Sequence, residues 1–362
     1  MKRTWASLSN IAALVLTVPF VGSLAAAQTV DKLAGDLDEP WAVAPLPNGG
    51  MLVTERDGKL LHIQNGVKTS VKGLPKVAAK GQGGLLDVTL PRDFASTREV
   101  WLTYSKPQRR GSGTSLAVGK LSADGTRLTQ LRDVFESAPG GETGRHFGSR
   151  VVEAKDGTLF LTIGDRGDSA TAQDRSLHNG SIIRINRDGT VPRNNPFVGK
   201  DGIQPEIYSY GHRNPQGADI DAKGNLWTSE HGARGGDEVN RIKRGANFGW
   251  PVISYGRHYS GKKIGVGSSQ AGMQQPHHYW DPSIAPSGLM VYSGKLWPNW
   301  KGDIFVGSLK FDYIARLGGA PLQEVAQIKS EATERVRDIV EAPDGSIWFI
   351  SVGQGAVYRM TP

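Results

Sequence analysis

The hydrophobic pattern of this chain repeats one short motif. Five segments share it: PLPNGGMLVTERDGKLLHI from Pro45, EAKDGTLFLTIGDRGD from Glu153, DAKGNLWTSEHGARGGDEVNRI from Asp221, WKGDIFVGSLKFDYIARL from Trp300 and EAPDGSIWFISVGQGAVYRM from Glu341. Each passes from a polar turn containing glycine into a short β-branched or aromatic strand, turns again and returns. The turns supply positive φ at low cost, and the strands alternate or run fully apolar as buried sheet requires. Helical periodicity is almost absent. The pattern predicts an all-β repeat, and its spacing predicts a six-bladed β-propeller with blades of roughly 55 residues. The chain is too long for one sandwich and has no composition break to separate two. In a propeller the loops at one end of the central channel converge, so residues distant in sequence can build one site.

Composition narrows the setting. The 362 residues include 47 Gly, 20 Pro and no Cys, so a large core, bound ions or both must replace disulfides. The chain opens with Lys2 and Arg3, an apolar run around Ile11 to Val21, and Ala25-Ala26-Ala27 before Gln28. That order predicts a signal peptide over 1–27, a mature domain over 28–362, and a periplasmic or secreted location. The apolar run is short for a membrane span, and no later stretch is long enough for one. The formal net charge of +8 becomes +6 once Lys2 and Arg3 are removed. Its scatter and the lack of a nucleic-acid motif argue against nucleic acid and fit a small anionic ligand.

The candidate chemistry lies in the loops. The stretch SYGHRNPQG, Ser209 to Gly217, is dense in donors, and SEHGARGGDEVN follows it closely. Arg213, Lys310, Arg335 and Arg337 together suit a planar polycarboxylate, because guanidinium offers forked donors to carboxylates. Taken singly, each is as well explained as a solvated loop cation. His146, between Arg145 and Phe147, has surroundings that favour the neutral imidazole a general base needs. A strand-capping structural role is the plainer alternative, and it is the one assigned to His62, His178, His258, His277 and His278. Asp237 and Glu238, beside Gly232, Gly235 and Gly236, suit a hard cation such as calcium, or else form a solvated hairpin. Zinc, nicotinamide and nucleotide triphosphate motifs are missing.

In order along the chain, GQGGLLD, RHFGSR, TIGDRGD, GHRNPQG, SEHG…DEVN, NFGWP, SLK and RVRD resemble the soluble pyrroloquinoline quinone (PQQ) dependent aldose sugar dehydrogenases of the glucose/sorbosone dehydrogenase family. RHFGSR and YGRHYSG resemble its broad-substrate branch. The resemblance implies a PQQ and calcium enzyme that oxidises aldoses at C1 to lactones. His146 would be the base, with hydride passing to PQQ C5 and Arg213 polarising the C5 oxygen. Asn214, Tyr259, Lys310, Arg335 and Arg337 would hold the cofactor, while Gln82 and Asp165 would face the sugar. Carbonyls of Gly232 and Ala233 would bind the catalytic calcium. Glu238 and the Phe248 carbonyl, with Asp237, would hold a structural calcium.

Three positions depart from the family pattern: Phe248 replaces the usual Tyr, Ala233 replaces the Pro of the glucose-selective branch, and Val352 stands where relatives commonly carry an acid. The electron acceptor stays open, as does the choice between monomer and homodimer. Two other readings compete. A calcium-dependent propeller lactonase would not need the Lys310, Arg335 and Arg337 set, and a non-catalytic sugar-binding propeller would not need His146 or Arg213.

Overall fold

A computed structural model describes residues 28–362. The expected signal segment lies outside the described residues. Six four-stranded antiparallel sheets are arranged as the blades of a propeller. From the axis outward, blade 1 uses Pro40–Pro45, Met51–Glu55, Lys59–Gln64 and Val67–Ser70. Blade 2 uses Leu85–Thr89, Glu99–Pro107, Ser112–Leu121 and Leu128–Glu136, and blade 3 uses Val151–Glu153, Leu159–Ile163, Ser181–Ile185 and Ile207–Tyr210. Blade 4 comprises Pro215–Ile220, Leu226–Glu230, Asp237–Arg241 and His278–Trp280, and blade 5 comprises Pro286–Val291, Ile304–Ser308, Ile314–Gly318 and Gln323–Ile328. Blade 6 takes Val336–Glu341, Ile347–Ser351 and Ala356–Thr361 from the end of the chain and Thr29–Ala34 as its outermost strand, with Thr29 opposite Thr361. First strands of successive blades touch, and Val336–Glu341 meets Pro40–Pro45 to close the ring.

Burial explains the hydrophobic pattern. The second strands of blades 1, 3, 5 and 6 are buried at every position, because each is covered on both faces by neighbouring blades. The outermost strand Gln323–Ile328 alternates between exposed and half-buried positions, as an edge facing water should. Six apolar clusters form, one in each gap between adjacent blades; Trp101, Leu116, Leu161 and Ile183 fill the gap between blades 2 and 3.

A buried charge network crosses the axis. Arg150 Nη1 meets Asp87 Oδ1 at 2.6 Å and Nη2 meets Asp338 Oδ1 at 3.0 Å. Asp87 also accepts from Val151 N at 2.9 Å and Asp338 from Val43 N at 3.0 Å. The Arg150 guanidinium lies 4.6 Å from the Trp41 ring centroid. These contacts tie blades 1, 2, 3 and 6 together.

Candidate active site

The loop from Gly141 to Ser149 joins the outer strand of blade 2 to the inner strand of blade 3. It forms no regular element, since Gly144, His146, Gly148 and Ser149 all have φ between 55° and 86°. Positive φ at a histidine is uncommon and persists only where neighbours enforce it. Here His146 N donates to Gln82 Oε1 at 2.7 Å, and His146 O accepts from Arg166 N at 3.3 Å. The backbone passes so close to Gly164 that a Cβ there would lie 2.3 Å from His146 O.

Asp165 fixes the imidazole. Its Oδ1 lies 2.6 Å from His146 Nδ1 and accepts from Gly167 N at 2.7 Å, while Oδ2 accepts from Trp250 Nε1 at 2.9 Å. Burial alone would push this carboxyl up, but the bonds from His146, Gly167 and Trp250 hold it below its usual range. His146 is pushed below the ordinary imidazole value, first by burial and then by the Arg213 and Arg145 cations, with Asp165 opposing. The resulting pair is an ionised Asp165 and a neutral His146. Its Nδ1–H donates to Asp165, which leaves Nε2 as the free acceptor. The side chain of Asp165 is 2% exposed. Asp165 therefore stands behind His146 rather than facing a sugar, a correction to the sequence expectation.

Arg213 and Asn214 enter from the loop between blades 3 and 4. Arg213 N donates to Glu230 Oε2 at 2.8 Å, and Glu230 Oε1 lies 2.9 Å from His212 Nδ1. The Arg213 carbonyl accepts from Asp165 N at 2.9 Å, and Asn214 Oδ1 accepts from Gly148 N at 3.1 Å. The base loop and the Arg213 loop are thus bonded together. Arg213 Nε is buried and has no hydrogen-bond partner among the described residues.

Beside this pair opens a cavity of about 670 Å³, whose lining includes Gln82, Asn214, Lys310, Arg335 and Arg337. Arg335 has φ 51° and donates through Nη1 to Leu309 O at 3.0 Å. Arg337 Nη1 donates to Gln216 Oε1 at 3.0 Å, and burial with the neighbouring Arg335 and Arg150 pushes this guanidinium down to about 10. None of Arg213, Lys310, Arg335 and Arg337 joins an ion pair among the described residues. Of these, Lys310, Arg335 and Arg337 line the cavity while Arg213 stands outside its lining, and lining cations with no direct ion pair suit a polycarboxylate. The acid missing at Val352 has local counterparts, because Glu334 and Asp312 line the cavity beside Arg335.

The glycine-rich loop of blade 4 gathers oxygens. A Cβ on Gly232 would fall 2.2 Å from Gly235 O and 2.4 Å from Gly236 O, so only glycine fits where these carbonyls converge. Asp237 holds the loop: Oδ1 accepts from Gly232 N at 2.7 Å, and Oδ2 accepts from Ser283 Oγ at 2.6 Å and Ala285 N at 2.9 Å. These bonds make Asp237 a brace for the loop, with Oδ1 accepting from a single donor. Glu238 has one donor, Asn240 Nδ2 at 2.9 Å, and burial followed by the Glu230 charge pushes it up to about 8. An acid so destabilised in its charged form fits a cation. Phe248 belongs to the same cluster, stacking on His212 at 4.6 Å. Among the described residues no three His, Cys, Asp or Glu side chains converge to hold a metal, so carbonyls would have to supply most ligands.

One expected cofactor contact lies elsewhere. Tyr259 is 75% exposed at the tip of a turn closed by the bond from Gly261 N to His258 O, away from the cavity lining. Sequence reading missed Arg56, which donates to the Gly83 carbonyl at 3.2 Å and pairs with Glu39 at 2.5 Å, steadying the loop that carries Gln82. It also missed Trp41 and His231 on the cavity wall. Arg56 sits in a turn that looks like any other, so no local signal marked it.

The sequence profile of the Glucose / Sorbosone dehydrogenase family matches residues 37–359. The chain is 40% identical over 343 residues to the aldose sugar dehydrogenase YliI of Escherichia coli (strain K12), covering 92% of each protein. It superposes on the crystal structure of the apo form of the soluble aldose sugar dehydrogenase from Escherichia coli with a TM-score of 0.89 at 39% identity, covering 93% of this chain and 100% of the other. The PQQ-bound form of an aldose sugar dehydrogenase from Streptomyces coelicolor gives a TM-score of 0.77 at 27% identity, covering 93% and 98%. With the profile spanning nearly all of the propeller, the chain belongs to the Glucose / Sorbosone dehydrogenase family.

Proposed function

We propose that this protein is a PQQ-dependent oxidoreductase, acting in the periplasm or after secretion, that oxidises aldose sugars at C1 to lactones. The observation that carries the reading is His146, bonded to Asp165 through its ring and to Gln82 through its backbone, beside a cavity lined by Lys310, Arg335 and Arg337. PQQ, when bound, supplies the electron-accepting quinone that amino acids lack. Lys310, Arg335 and Arg337 would hold its carboxylates, and Asn214 would meet its polar edge. Arg213 offers a buried, unsatisfied donor where negative charge develops. His146 Nε2 takes the C1 hydroxyl proton as the C1–H bond gives up its electron pair, and Asp165 steadies the imidazolium that results. Calcium held by the carbonyls of Gly232 and Ala233 would supply Lewis acidity, and a second ion would sit at Glu238 and the Phe248 carbonyl.

The test is an absorption spectrum. Protein mixed with PQQ and calcium, then with an aldose, should show the bound quinone reduced. An unchanged spectrum with PQQ demonstrably bound would overturn the reading, and lactone hydrolysis in its place would favour a lactonase.

The calcium assignment makes a separate prediction. A ligand that binds only the native state stabilises it, so a strong chelator should lower the melting temperature of PQQ-free protein. An unchanged melting curve would remove the structural ion at Glu238.

A further inference from the structure

Trp250 is outside the cavity lining, yet it touches both groups on which the proposed chemistry turns. Its Nε1–H donates to Asp165 Oδ2 at 2.9 Å, and the Arg213 guanidinium carbon stands 5.3 Å from its ring centroid. The residue is itself well anchored. Trp250 N donates to Gly211 O at 2.9 Å, two residues before Arg213, and Trp250 O accepts from Gln173 Nε2 at 2.7 Å. Gln173 is in turn locked to Asn247 by a reciprocal amide pair at 3.0 and 2.8 Å. The indole thus has a fixed place relative to the loops that carry Asp165 and Arg213.

We propose that Trp250 is a positioning residue shared by the two halves of the site: its N–H sets the Asp165 carboxylate that orients His146, and its ring seats the guanidinium of Arg213. The proposal rests on the reading of His146 as the base. A carboxylate held at one oxygen alone can turn about its last torsion. Donors at both oxygens stop that turn and keep Oδ1 on His146 Nδ1. The indole also draws negative charge toward Oδ2, away from the oxygen that faces the imidazole. The ring face gives Arg213 a cation–π seat that fixes its approach without neutralising it, as a carboxylate would.

The sign of the effect on His146 follows from its surroundings. The charged or titratable groups facing it are Asp165, Arg213, Arg145 and His231, and of these only Asp165 favours the imidazolium. Asp165 itself faces His146 and, through charge, Arg166. Removing the indole donor leaves the Asp165 charge concentrated on the His146 side, so His146 becomes easier to protonate.

The Trp250→Phe variant keeps a ring and loses the donor. In PQQ-free protein, the His146 titration followed by NMR should move to higher pH by about 0.5–1 unit, the scale of one altered charge-assisted hydrogen bond. The acid limb of bound-PQQ reduction should move with it. In an Asp165→Asn background the same change should shift nothing. Trp250→Leu removes the ring as well and should slow reduction about tenfold beyond Trp250→Phe, with sugar KM much less affected. If the variants fold poorly, the wild type still decides: its Trp250 indole N–H resonance should shift with the same midpoint as His146. A His146 titration unmoved by Trp250→Phe, or an indole resonance that ignores that titration, would overturn the proposal. Both are read without PQQ, so their failure is distinct from failure of the dehydrogenase reading.

Discussion

Replacing His146 with Ala is expected to slow reduction of bound PQQ by sugar about 100-fold or more, the usual scale for loss of a positioned general base, while leaving PQQ affinity nearly unchanged. The split follows from the geometry. The link from this residue to Gln82 runs through its backbone N–H, which alanine keeps, and the imidazole is not part of the cavity lining. What disappears is the acceptor Nε2. The pH dependence carries the same signature: because burial and the Arg213 and Arg145 cations depress His146, the wild-type rate should hold through neutral pH and fall only below the ordinary imidazole range. The Ala variant should lose that acid limb. Stopped-flow reduction of pre-bound PQQ across pH measures both. A wild-type rate in the variant would remove His146 as the base and send the search to Asp165 or a calcium-bound water.

The double change Arg335→Ala with Arg337→Ala should act in the opposite way, weakening PQQ binding by about 3 kcal/mol, two lost charge-assisted hydrogen bonds' worth, with a much smaller loss of turnover at saturating PQQ. Among the described residues neither guanidinium has a carboxylate partner; their bonds to Leu309 O and Gln216 Oε1 orient them toward the cavity. Two adjacent cations so placed repel each other, and Arg337 has its proton affinity lowered by burial and by Arg335. A base depressed in the folded state destabilises that state wherever it is charged. The PQQ-free double variant should therefore melt no lower than wild type, while wild type gains more from added cofactor. A cofactor titration with unchanged affinity would sink the assignment.

Much of the propeller could be read in the sequence because its blades repeat one physical problem. A strand buried on both faces must run apolar, and the turns around it must accept positive φ. Blades 1, 3, 4, 5 and 6 solve it with Asp-Gly, Asn-Gly or similar turns, and they were the five segments seen. Blade 2 was hidden: a helical turn, Phe94–Thr97, separates its first two strands, and its long strands meet at PQRRGS rather than at a tight glycine pair. Thr29–Ala34 was also hidden, because a half-exposed outermost strand does not alternate cleanly. For the site, loop chemistry exposed His146, Arg213 and the cation set. It could not reveal that Asp165 stands behind His146 rather than toward the cavity, nor that Trp250, 85 residues further on, bonds to it. Such pairings are set by blade geometry, to which local sequence is blind. Tyr259 lies outside the cavity lining for the converse reason, since a motif fixes residue order but not which way a turn points.

The pairing of Thr29–Ala34 with Ala356–Thr361 sets the order in which this molecule can be finished. Until the last strand exists, the first has no partner, and Leu33 and Ala34 cannot be held against the apolar cluster between blades 6 and 1. A chain that ends before Ala356 therefore lacks more than a strand. It leaves the edge of Ile347–Ser351 unpaired, the kind of surface that recruits other chains. The slowest native contact to form is then the one between the two ends, whose closure entropy grows with the whole length between them. Trimming either partner strand should turn a monodisperse protein into one that associates, well before the interior of any single blade is disturbed.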